Sequence, residues 1–183
     1  IGWHIPDWLV AGGSYAVTGK TPMAVLQELA KAAGGFVESD PHLPVVRIKP
    51  RWPKAAWQIA EAEPDATVPS SVILQIGGRR TVSERCNGVF VWAEHAKGRA
   101  GDVYRQGGSR EPRAAALTDT LYTDTDVLTA AGMAALSDTG IHKTETVQMP
   151  VSEKYGIPLA QLGQIWQIQE PEGHWQGVIT GIT

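Results

Sequence analysis

Five histidines, His4, His42, His95, His142 and His174, are the first residues to weigh for metal or acid–base chemistry. They stand dozens of residues apart, and none has the i, i+3 or i, i+4 spacing that puts two imidazoles on one helical face, so a metal site would have to be assembled by the fold. Cys86 is the single thiol. With a distant histidine it would be the minimum for a thiol nucleophile, but its neighbours carry no such signature, and alone it can build neither an internal disulfide nor a Cys-x-x-Cys site. It reads as a small buried hydrophobe. Asp119, Asp124 and Asp126 offer oxygen ligands to a hard cation, yet the tract lacks the turn glycine and the later bidentate acid of a calcium loop. Carboxylates ahead of a helix read instead as caps and dipole partners. The glycines from Gly98 to Gly108 have no Gly-Lys-Ser/Thr ending and read as a flexible hairpin or surface loop. No carboxylate pair stands in a context that marks a general acid and its partner. These residues therefore assign no catalytic, cofactor-binding or metal-binding position and describe a non-enzymatic chain.

Charge narrows the field further. The net charge is −3, without the basic excess that neutralising many phosphates requires, so sequence-specific nucleic-acid binding is not expected. Arg79, Arg80 and Arg85 form a small basic cluster and Arg99, Arg105, Arg110 and Arg113 a looser one. The default reading of both is a solvated hairpin face. The alternatives are pairing across a subunit interface with acids such as Glu61, Glu63 or Asp65, which makes Arg79, Arg80 and Arg85 interface candidates, and contact with a polyanion.

The elements that would position these residues belong to an α+β, β-rich chain. At 183 residues it can bury a core without staples, and twenty glycines and twelve prolines favour strands and loops over long helices. No apolar run approaches the length of a membrane span. The start at Ile1, without Met or a leader pattern, reads as a piece of something longer. A helix is predicted from Thr21 as N-cap and Pro22 at its first position to Gly34-Gly35, with Val25, Leu26, Leu29 and Ala33 on its packing stripe. Phe36 to Ser39 and Val45 to Lys49 follow as a strand pair, with turn chemistry at Asp40-Pro41 and Leu43-Pro44. A short helical turn fits Ala55 to Ala62. Val72 to Ser83 reads as a hairpin turning at Gly77-Gly78, and Val89 to Trp92 as a buried strand. A second helix, capped by Asp124 or Thr125, carries Leu128, Ala131, Gly132, Ala135 and Leu136 on one stripe and stops at Gly140. Strands follow at Thr144 to Met149, Gly163 to Gln169 and Trp175 to Ile182. The expected domains are a two-layer α/β domain over 1–85 and an antiparallel β-barrel-like domain over 86–183, with the helix at about 125–137 inserted. The barrel would contain the Val89, Ile165 and Val178 strands.

Core candidates are Leu29, Val89, Val91, Leu128, Trp166 and Trp175. If Glu170-Pro171-Glu172-Gly173 is a tight turn, antiparallel register places Ile168 opposite Trp175 and Trp166 opposite Gly177, with a ring covering the glycine. Trp is the dominant aromatic, seven residues against two Phe, which suits half-wet surfaces where an N–H donor is useful.

Four segments, read in order, resemble the central part of tailed-phage tail and baseplate hub proteins. They are Gly19-Lys20-Thr21-Pro22-Met23 with Ala33-Gly34-Gly35, Ile48-Lys49-Pro50-Arg51-Trp52-Pro53 with Trp57, Asn87-Gly88-Val89-Phe90-Val91, and Trp175-Gln176-Gly177-Val178-Ile179. The resemblance implies a structural virion protein of a phage or prophage, related to hubs of contractile injection systems. It would be a homotrimeric ring joining the tail tube to the central spike, with β-barrel domains bearing small α/β insertions and DNA passing through the ring. It implies assembly in the host cytoplasm and residence in the virion tail, without catalysis or cofactor. The rivals are a receptor- or carbohydrate-binding tail module presenting exposed Trp platforms, and a cell-wall hydrolase.

Overall fold

The computed structural model describes residues 1–40, 43–150 and 155–183; Pro41, in the expected turn, and His42 lie outside them. Along the chain come β1 (Gly2–Trp3), α1 (Pro22–Ala32), β2 (Gly35–Ser39), β3 (Val46–Pro50), a 3-10 turn (Ala56–Glu61), β4 (Ala66–Val68), a second 3-10 turn (Ser70–Val72) and β5 (Gln75–Val82). After these come β6 (Gly88–Trp92), β7 (Ala100–Tyr104), β8 (Leu117–Thr118), α2 (Thr125–Ser137), β9 (Ile141–Gln148), β10 (Ile165–Glu170) and β11 (Gly173–Val178). The chain is α+β and strand-rich. It forms two compact units, one from Ile1–Trp52 with Glu84–Gly140 and the other from Pro53–Ser83 with Ile141–Thr183, so each unit draws on both sides of residue 85.

In the first unit, α1 begins as its residues dictate. Thr21 Oγ1 accepts from the Ala24 N–H at 3.2 Å, and Pro22 occupies the first turn, where a missing N–H costs nothing. The helix ends into Gly34 at φ +67, and a Cβ there would come within 2.4 Å of Ala134 Cβ, so the position tolerates only glycine on two counts. The residues buried most deeply at the end of α1 are Ala30, Ala32 and the C-cap Ala33, while Val25, Leu26 and Leu29 are half-buried. Small side chains let the helix exit lie close to the Gly35 backbone, which pushes the longer leucines to the margin. α1 packs on β2. β2 runs antiparallel to β3, Val37 opposite Ile48, and β1 runs parallel to β3 on its other edge. Ile48 is fully buried at the centre of that sheet.

The same unit holds a second three-stranded sheet in the order β7-β6-β8. β6 is antiparallel to β7 and parallel to β8. Strand alternation turns Val89 and Val91 inward and leaves Phe90 outward, 39% exposed. α2 lies on β6 and β7, and a Cβ on Gly132 would stand 2.5 Å from Val103, so the helix comes this close only because that side chain is missing. β7 occupies part of the glycine tract expected to be a flexible hairpin or surface loop and makes it the second strand of the β6–β7 hairpin, with Gly101 opposite Val91 as an ordinary strand residue. The segment between β1 and α1 has no regular structure and is pinned by side chains. Trp8 Nε1 donates to Leu121 O at 3.1 Å, Thr123 Oγ1 to Leu9 O at 2.7 Å and Lys97 Nζ to Gly12 O at 2.6 Å.

In the second unit, β10 pairs antiparallel with β11 and parallel with β4. The register of the β10–β11 hairpin is the expected one, Ile168 opposite Trp175 and Trp166 opposite Gly177. The ring over Gly177 is that of Trp175 in the same strand, since a Cβ on Gly177 would meet Trp175 Cζ3 at 3.2 Å. Val68, Val72, Ile157, Trp166 and Ile168 form the core, with Val147, Trp175 and Ile179 packed against it. The strand of Val89 thus belongs to a different sheet from those of Ile165 and Val178, because β6 is taken up by β7, β8 and α2.

The largest departure from the sequence reading is β5. Gly77-Gly78 is not a turn; neither glycine has the positive φ that a two-residue hairpin turn needs. β5 runs straight through them and pairs with β9 over eight positions, from Gln75 opposite Gln148 to Val82 opposite Ile141. Gly78 accommodates the Glu145 side chain, whose Oε2 would lie 2.1 Å from a Cβ there.

Trp166 is 2% exposed whereas Trp175 is half-buried with its Nε1 donating to Glu170 Oε1 at 3.0 Å. Trp166→Ala is therefore expected to cost about 3–5 kcal/mol and Trp175→Ala about 1–2 kcal/mol in urea unfolding. Equal costs would contradict this placement.

Candidate functional site

Val89, Val91, Leu128 and Trp166 are buried, and Leu29 and Trp175 are half-buried. Arg79 and Arg80 are exposed on β5, and Arg85 is exposed in the other unit. Among the described residues no three His, Cys, Asp or Glu side chains are grouped to hold a metal ion. Asp124 caps α2 by accepting from the Asp126 N–H at 3.0 Å, and Asp119 Oδ1 accepts from the Leu121 N–H at 2.9 Å, so both carboxylates serve the backbone. Cys86 is buried.

Sequence reasoning missed Arg105. It was placed in a solvated cluster, yet it is 7% exposed. Its Nε donates to Cys86 O at 2.8 Å, and its Nη2 to Leu136 O at 2.8 Å and Thr139 Oγ1 at 3.2 Å. Burial lowers its pKa, with the nearby Arg85 charge adding to the effect. Leu136 lies in the last turn of α2, where carbonyls have no helical partner and the helix dipole favours a cation. The signal was available in alternation: Arg105 follows Val103 by two residues and shares its inward face. The remaining arginines of that group do other work. Arg113 pairs with Asp102, and the Arg110 and Arg113 guanidinium carbons lie 4.8 and 6.0 Å from the Tyr104 ring centroid.

An open groove of about 520 Å³ in the first unit is lined by Tyr15, Lys20, Glu28, Lys31 and Asp119, among others. Glu28 Oε2 accepts from Tyr15 Oη at 2.6 Å and from Lys20 Nζ at 2.5 Å, and the ammonium stands 4.5 Å from the Tyr15 ring centroid. The hydrogen bond from Lys20, then that from Tyr15, holds the Glu28 carboxyl below its ordinary range. Each group here satisfies another, so the cluster pins the segment ahead of α1 and presents no free base. Tyr122, 6% exposed, is pushed up to about 12, first by burial and then by the Asp119 charge.

The most unusual surface is the β5–β9 ribbon. Among the described residues it forms a sheet of two strands, and every residue of β5 is exposed. Val82 and Ile141 face each other at one end, 69% and 59% exposed. Next on that face, Arg80 stands opposite Lys143, a like-charge pair. Lys143 Nζ bonds Glu145 and lies 5.9 Å from the Trp175 ring centroid, while no described residue pairs with Arg79 or Arg80.

No protein-family model and no curated protein sequence matches the chain. Among solved structures it is similar to the tail protein from Neisseria meningitidis MC58, with a TM-score of 0.49 and 14% identity over 93% of this chain and 51% of that one. The chain thus spans about half the length of that protein.

Two outcomes follow. Arg105→Met is expected to cost about 1–3 kcal/mol in urea unfolding, because Cys86 O is left without its donor while Leu136 O keeps Thr139; a loss below about 0.5 kcal/mol would refute that role. For Tyr122 the folded chain holds the phenolic proton more tightly than the unfolded chain. The stability this adds is complete below pH about 10 and is lost as pH rises toward about 12. Unfolding free energy should fall more steeply across that window in the wild type than in Tyr122→Phe, and parallel curves would count against it.

Proposed function

We propose that the chain is a structural part of a phage or prophage tail, a hub-like piece that forms a trimeric ring between tail tube and spike and carries no catalysis. The observation that supports this reading is the role of the four segments that resemble tail hub proteins. Thr21-Pro22 and Gly34-Gly35 start and stop α1, and Ile48 to Trp57 leads from the first sheet into the second unit. Val89 to Val91 is the centre of the second sheet, and Trp175 to Val178 is half of the β10–β11 hairpin. All four are framework, in both units, as expected where the resemblance concerns architecture rather than a reactive site.

The indoles favour this over a carbohydrate-binding module. Trp3, Trp8, Trp52, Trp166 and Trp175 donate their N–H to Pro6 O, Leu121 O, Asp138 Oδ1, Gln164 Oε1 and Glu170 Oε1. They serve as internal ties, and of these five only Trp3, 37% exposed, is an exposed ring.

The test is immuno-electron microscopy of tailed particles induced from the encoding bacterium, with antibodies against the chain. Label is expected at the tail end next to the spike. Label on the capsid, or only on soluble protein, would overturn the reading, as would release of soluble fragments from purified peptidoglycan by the chain alone.

A further inference from the structure

We propose that the Arg80–Lys143 face of the β5–β9 ribbon is the basic half of a head-to-tail contact with a second copy of this chain, whose acidic half is Glu61 and Glu63. The inference rests on the ring reading above and names the surface by which copies would join.

The ribbon is incomplete by itself. A two-stranded sheet with both outer edges open is marginal in water, and unpaired edges are normally short, covered or blocked. Here eight consecutive β5 residues are exposed on a strand that has one neighbour among the described residues. One face carries a cross-strand pair of aliphatics, Val82 and Ile141, beside a cross-strand pair of cations, Arg80 and Lys143. Two cations directly opposite each other repel unless an anion lies between or above them. Lys143 has Glu145, with the lysine side chain still 65% exposed, and Arg80 has no described partner. An apolar patch bordered by Arg80, a cation with no described partner, fits a protein surface that brings carboxylates.

The chain supplies such a surface. After the 3-10 turn the backbone becomes extended at Ala62, with φ −74 and ψ 151. Ala62 is buried while Glu61 and Glu63 on either side of it are exposed, and neither has a described partner. Glu61 and Glu63 thus place two exposed carboxylates within three residues of chain. Exposed carboxylates at this place are complementary to the uncompensated charge of Arg80. Because the basic and acidic patches are different parts of one molecule, their contact is heterologous, the type that closes into a ring when the rotation allows. A nucleic acid is the other occupant a cationic ribbon could take, but the adjoining Val82 and Ile141 and the net charge of −3 favour protein.

Arg79 provides the internal control, since it points to the opposite face of β5, across from Thr144. The full chain is measured by light scattering behind size-exclusion chromatography, at low and high ionic strength. The wild type is expected as three chains at low salt, weakening with salt. Arg80→Glu should weaken assembly by about tenfold or more, as should the double substitution Glu61→Lys with Glu63→Lys, and combining all three should restore it. Arg79→Glu should leave it unchanged, with circular dichroism confirming the fold of each variant. A wild-type trimer indifferent to Arg80→Glu, or not restored by the combined charge swap, would overturn this contact while leaving the ring reading standing. A single chain at every concentration would overturn the ring reading with it. Equal loss with Arg79→Glu and Arg80→Glu, together with salt-sensitive binding of a labelled oligonucleotide, would overturn it in favour of a polyanion surface.

Discussion

The first unit is organised around one desolvated cation. A guanidinium removed from water must find acceptors for its donors, and Arg105 finds them in two stretches distant from it in sequence: at Cys86 before β6, and at Leu136 and Thr139 around the end of α2. Thr139 closes the arrangement by accepting from the Cys86 N–H at 3.1 Å and donating to Leu136 O at 2.7 Å. The end of the helix is thereby fixed against the start of the central strand. With α2 held there, the seat of Gly132 on Val103 and of Gly34 on Ala134 follows, since both are approaches that no other residue would permit.

What was legible in the sequence was local. Thr21-Pro22 and Asp124 marked helix starts because capping is a matter of three or four consecutive residues, and the β10–β11 register followed from a tight turn. Long-range choices were not legible. Gly77-Gly78 carries the composition of a turn, and only β9, far along the chain, makes it the middle of a strand. The glycine tract that holds β7 left a hairpin and a surface loop equally open for the same reason. Arg105 looked like its exposed neighbours because burial is decided by what α2 and β6 leave open, although the alternation from Val103 carried a hint. At Leu29 the stripe was right but its depth was not, because a close helix approach buries alanine more deeply than leucine.

The tryptophans show how a chain with few long elements keeps irregular segments in place. Trp8 fastens the segment ahead of α1, Trp52 reaches Asp138 at 2.9 Å beside the Arg51–Asp138 ion pair, and Trp166 Nε1 bonds Gln164 at 3.1 Å at the entry to its own strand. An indole supplies both a large apolar surface and a directional donor, so it can fill a gap and fix a loop at once. Phenylalanine could do only the first.

The interleaving of the two units governs how the chain can be made and cut. Residues 1–52 contain a complete helix and sheet, yet the partners that bury Gly34 arrive only with residues 84–140; residues 53–83 in turn wait for 141–183. Contacts of such sequence separation slow folding, since loop-closure entropy is lost before they form. During synthesis the early segments remain unfinished until late, with β5 exposed and unpaired until β9 emerges. A protease or a cloning boundary near residue 85 would leave two halves of each unit rather than two domains.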